Sequence, residues 1–117
     1  SAKRRQRIVP VISPVKNSSI QFAEAIGGLY LKEKDNKIIA LKMITYFNEQ
    51  IRSVYFLNTN LVNDDFVLSL SRKSGIELAK VKKLYYEMQQ IADSPEVDDS
   101  MLLSLNEQIQ EFYKTKI

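Results

Sequence analysis

The chain has 117 residues, 44% hydrophobic and 26% charged, with a formal net charge of +3; this is the balance of one globular domain around one core. It has no Cys and no His, which excludes a disulfide framework, thiolate or imidazole metal ligation, a thiol nucleophile and the commonest general base. Three Gly and three Pro are too few for a turn-rich β protein, and no window reaches the ~18 apolar residues of a membrane span or shows a signal-peptide pattern.

The net charge conceals an asymmetry. Lys3, Arg4, Arg5, Arg7 and Lys16 stand in the first sixteen residues with no acidic residue among them, and the remainder holds 12 basic against 14 acidic residues. The basicity therefore sits in a leader, residues 1–16, ahead of a mildly acidic helical domain, residues 17–117. Pro10 and Pro14 predict an extended strap there, lying along the domain through Ile8, Val11 and Ile12. Such a basic cluster has three readings: a solvated tail, an arm on nucleic-acid phosphates, or the cytoplasmic flank of a preceding membrane helix. A chain that starts at Ser1 rather than Met is expected to continue a longer one, which favours the third.

The first helix is expected from the N-cap candidates Asn17, Ser18 and Ser19, with Ser18 and Gln21 at capping-box spacing. Phe22, Ile26, Leu29 and Tyr30 form its apolar stripe. Gly27 and Gly28 either allow close packing or end it early, at about 1 kcal/mol each relative to Ala. After the polar run 32–37, residues 38–56 are apolar over so much of the circumference that this helix is expected to be central. Asn58–Asn60 breaks it, with room for a short strand pair near Leu57 to Val62. Asn63, Asp64 and Asp65 cap a short helix ending at Gly75, and another begins at Glu77 with Val81, Leu84, Tyr85, Met88 and Ile91 at a 3.6-residue period. Asp98 or Asp99 opens the last, through Leu102, Leu105, Ile109, Phe112 and Tyr113. The fold class is all-α, a compact bundle of about five helices, with Tyr46, Phe47, Ile51, Val81, Leu84, Tyr85, Leu105 and Ile109 in its core.

Few residues here could carry chemistry. Asp64–Asp65 and Asp98–Asp99 stand where helix caps belong, and Gly27–Gly28 is no phosphate loop, since no Lys-Ser or Lys-Thr follows and no strand precedes it. No catalytic, metal or cofactor residue is assigned, and no small-molecule ligand is evident. The pair of helices at 64–92 has helix-turn-helix spacing, with Leu70, Ile76, Val81 and Leu84 at its internal positions. Arg72, Lys73, Lys80, Lys82 and Lys83 gather there and could face phosphates. The plainer reading is two short helices joined through a capping Gly, with Lys on a solvated face. Arg52 lies inside the most apolar helix beside Ile51 and Tyr55, where a buried guanidinium needs partners. Carbonyls at a helix end or a carboxylate such as Glu49 or Asp65 would serve. A contact of Arg52 and Tyr55 with a partner is the sharper alternative.

Arg4–Ile12, Leu29–Tyr30, Ile44–Phe47, Ile51–Tyr55 and Lys73–Gly75 resemble, across essentially the whole chain, an uncharacterised family of bacterial membrane proteins. In that family this region is the C-terminal tail after the last transmembrane helix, and the genes often neighbour those of MoxR-type AAA+ ATPases. The resemblance implies a domain of unknown function at the cytoplasmic side of the inner membrane, with Lys3, Arg4, Arg5 and Arg7 as the membrane flank on anionic lipid. The leading expectation is a non-catalytic protein-interaction module, engaging a MoxR-type ATPase or subunits of its own assembly. A helix-turn-helix nucleic-acid binder is the alternative. An apolar or mixed groove outside the core would favour the first, and one continuous basic face on the helix from Glu77 the second.

Overall fold

A computed structural model describes the backbone of residues 8–116 and the side chains of residues 20–114. Five helices follow one another: α1 (Ile8–Lys32), α2 (Asn36–Tyr55), α3 (Asp64–Ser74), α4 (Leu78–Asp93) and α5 (Asp99–Lys116). Among the described residues there is no strand, so the short pair near Leu57 to Val62 does not form. No helix of the described residues is long and apolar enough to cross a membrane.

Local chemistry sets most of the boundaries. Asp35 caps α2 by accepting from the backbone N–H of Lys37 at 2.9 Å, and Asn63 caps α3 by accepting from Phe66 N–H at 2.9 Å. Asp64 and Asp65 then stand in the first turn of α3, against the positive end of its dipole. Gly75 ends α3 at φ 78°, a left-handed position that suits Gly, and its N–H reaches Ser71 O at 2.9 Å. Asp98 accepts from Met101 N–H and the Ser100 hydroxyl, both at 2.8 Å, at the head of α5. Those bonds, the Met101 N–H first, hold the Asp98 carboxyl below its ordinary range.

Two expectations about the first helix need correction. The segment from Ile8 is helical rather than an extended strap, and α1 passes through Asn17–Ser19 instead of starting there. Pro10 is the third helical residue, where its missing N–H would have had no carbonyl partner. Pro14 forfeits one interior hydrogen bond, a cost that a 25-residue helix absorbs without ending. Gly27 and Gly28 do not interrupt α1 either, because Phe22, Ile26 and Leu29 still hold its inner face against the core. α2 likewise starts earlier than the apolar pattern suggests, the polar run shrinking to a three-residue link.

The core follows the stripes. α2 packs against all four other helices, as its broad apolar surface requires. Phe47, Ile51, Val81, Leu84, Tyr85, Leu105 and Ile109 are all buried, while Tyr46 is half-buried at the edge. Phe47 is the hub of an aromatic cluster, with ring centroids 5.1 Å from Phe112, 5.8 Å from Tyr113 and 6.2 Å from Tyr85. One tie has no local precedent in the sequence: the Lys37 ammonium donates to Ile91 O at 2.7 Å, Ala92 O at 2.8 Å and Ser94 O, so the start of α2 caps the end of α4.

Candidate functional site: an apolar groove and a displayed loop

The residues singled out for nucleic acid do not form one face. α3 and α4 do pack together across the short turn at Gly75, with Leu70, Ile76, Val81 and Leu84 all buried. The Lys73 ammonium, however, donates to Tyr55 O at 2.8 Å and so caps the end of α2. Lys80 pairs with Glu111 of α5 at 3.3 Å across a solvent-exposed gap. Arg72, Lys82 and Lys83 are exposed and make no hydrogen bond or ion pair among the described residues. Lys80 and Lys83 also edge a small groove of about 140 Å³ above Leu84 and Phe112. The surface of the pair is of mixed sign.

Arg52 is exposed, not buried. It follows Ile51, and a step of one residue rotates a side chain by about 100°, carrying it off the inner stripe. Its guanidinium donates to the buried hydroxyl of Thr59 rather than to a carbonyl, Glu49 or Asp65. Tyr55 is buried, which pushes its phenol up to about 12. Together, the Arg52–Thr59 and Lys73–Tyr55 bonds brace the loop between α2 and α3. That loop displays Phe56, 85% exposed, with Leu61 and Val62 also exposed. Phe56 is also left-handed, at φ 57° and ψ 40°, with its N–H on Arg52 O at 2.9 Å. A bulky residue in that conformation costs about 1–2 kcal/mol, and here the ring recovers little burial. Phe56→Gly is therefore expected to raise stability by about 0.5–1 kcal/mol in urea titrations. A loss would mean that the ring packs on the fold.

The larger concavity lies between α1 and α5. A groove of about 410 Å³ has Ile26, Met43 and Leu102 as its floor. Ala23, Gly27 and Tyr30 form the α1 edge, and Asp99, Leu103 and Asn106 the α5 edge. Tyr30 and Leu103 are both more than half exposed. A Cβ built on Gly27 meets nothing within 4 Å, so the wall is open at that point. Asn36 Nδ2 donates to Asp99 Oδ1 at 2.7 Å and holds that carboxylate at the rim.

The sequence reading did not assign this groove. Leu103 offered a clue, as an apolar residue beside Leu102 but off the inner stripe, and so did Ala23 and Gly27, two small residues one turn apart. Lys3, Arg4, Arg5 and Arg7 lie outside the described residues. Among those described, no cluster of three or more acidic residues has metal-site geometry. The model of the DUF4350 C-terminal helical domain family matches residues 23–116. No curated protein and no solved structure matches the chain.

Proposed function

The chain belongs to the DUF4350 C-terminal helical domain family, and from that premise we propose that it is a non-catalytic protein-interaction module at the cytoplasmic face of the bacterial inner membrane. The observation that carries the interaction reading is the apolar groove between α1 and α5, with two large apolar residues left exposed on its edges. A grooved, unfilled apolar surface outside the core is what a partner site requires. The broken basic surface of α3 and α4 gives nucleic acid less to bind. The absence of His and Cys supports a role without catalysis.

The partner proposed is a MoxR-type AAA+ ATPase or a subunit of the same assembly, on the strength of the family resemblance. A Cβ at Gly27 meets nothing within 4 Å, so Gly27→Leu should be accommodated by the backbone and project its side chain into the groove. Affinity capture of the full-length protein from membranes should recover a partner that this variant loses, with the ATPase the first to be sought by mass spectrometry. Equal recovery by both forms would end the reading.

The membrane location rests on the leader. Each cation near an anionic surface contributes about 1 kcal/mol, fading with salt over a Debye length of about 8 Å. Changing Lys3, Arg4, Arg5 and Arg7 to Gln is expected to abolish binding of this chain to anionic vesicles at low salt while leaving thermal stability almost untouched. Full vesicle binding with a lower unfolding temperature would instead make the charges part of the fold.

A further inference from the structure

We infer that the α1–α5 groove receives a basic amphipathic helix of the partner, an assignment that rests on the interaction reading above and adds the partner's chemistry to it. The shape comes first. Two packed helices leave between them a furrow into which the side-chain ridge of a third can pack. Apolar residues spaced i, i+4 and i+7 on the occupant would meet Ile26 and the exposed edge residues Tyr30 and Leu103, above the buried Met43 and Leu102. Gly27 lets the occupant approach closely, since no side chain stands between its backbone and the furrow.

Charge supplies the second argument. Asp99, Leu103 and Glu107 fall four residues apart along α5, so they share one edge of that helix, acidic at both ends and apolar between. Asp99 and Glu107 are both exposed. From Ser94 to Tyr113 the chain holds five carboxylates and no Lys or Arg, and from Ser18 to Leu31 its single charged residue is Glu24. Within those two stretches neither wall of the groove carries a cation, Lys32 at the end of α1 lying just beyond them, so an incoming acidic helix would meet mainly carboxylates along its length. A helix with Lys or Arg flanking its apolar stripe finds carboxylates on the rims, where charges govern the rate and the salt dependence of association.

The test titrates the isotope-labelled chain with two blocked model peptides of identical leucine spacing, one with lysine and the other with glutamate at every polar position. The lysine peptide is expected to shift the resonances of Ala23, Gly27 and Leu103 and to bind at least about tenfold tighter than the glutamate peptide. Gly27→Leu should weaken it by about tenfold or more at an unchanged or higher unfolding temperature, while Gly27→Ala should retain it. Asp99→Asn with Glu107→Gln should weaken it several-fold and flatten its salt dependence. Equal binding of the two peptides, shifts confined to α3 and α4, or binding indifferent to Gly27→Leu would each overturn the proposal. If Gly27→Leu abolishes capture of the partner but the lysine peptide fails to bind, the charge assignment falls and the interaction reading stands. Self-association of the chain blocked by Gly27→Leu, without peptide binding, would give the groove to a second copy and also overturn it.

Discussion

Replacing Phe47 by Ala is expected to destabilise the domain by about 3–5 kcal/mol, a large share of the about 5–15 kcal/mol that a domain of this kind has in total. Phe47 is fully buried on the helix that touches every other helix. Its ring stands nearly perpendicular to Phe112, at 88°, and lies close to Tyr113 and Tyr85. Truncation would leave a cavity lined by residues of α2, α4 and α5, and three helices cannot all move inward to fill it. Each edge-to-face pair lost adds about 0.5–1.5 kcal/mol to the area term. Urea denaturation measures the effect directly. Phe47→Leu, which keeps more of the volume, should cost clearly less than Phe47→Ala. A loss below about 1 kcal/mol on truncation to Ala would show that α2 is not the centre of this core.

Alkaline pH is expected to unfold the domain. Burial raises the phenol of Tyr55 to about 12 and raises those of Tyr85 and Tyr113 further still. In the unfolded chain a tyrosine ionises near pH 10, whereas the buried phenols must remain neutral or leave the core. The unfolded state therefore binds fewer protons above pH 10, and stability falls as pH rises from there towards the raised folded values. It is fully present below pH 10. At pH 11.5 each phenol still neutral in the folded state contributes about 2 kcal/mol of lost stability. Helical circular dichroism should be lost in one cooperative step, with a rise in tyrosinate absorbance accompanying it as the buried phenols are released. Tyr113→Phe isolates the effect of a buried phenol, because the Tyr113 hydroxyl is buried with no hydrogen-bond partner among the described residues. That variant should be at least as stable at neutral pH and should unfold at a higher pH. Tyr85→Phe should lose stability at neutral pH, since its hydroxyl donates to Asn48 Oδ1 at 2.8 Å. Helicity unchanged up to pH 12 would contradict the burial of these phenols.

The parts of this protein legible in its sequence are those decided within one or two helical turns. The spacing of Phe47, Ile51, Val81, Leu84, Leu105 and Ile109 placed them inside because a helix presents the same face every 3.6 residues, whatever its neighbours do. Asn63 and Gly75 marked the ends of α3 because caps act on N–H and C=O groups only a few residues away. The proline rule misread α1 because a local penalty can be outweighed by a long helix that continues around it. The sequence singles out Arg52 as a buried guanidinium, but its exposure and its partner Thr59 depend on how the loop after α2 folds back. Only the tertiary structure decided that Lys37 caps α4, fifty-four residues away, that Lys73 and Lys80 turn to internal partners, and that α1 and α5 leave a furrow between them. A periodic pattern specifies which face of a helix avoids water. It does not specify which other face that one meets, and the unfilled space between two faces belongs to neither segment alone.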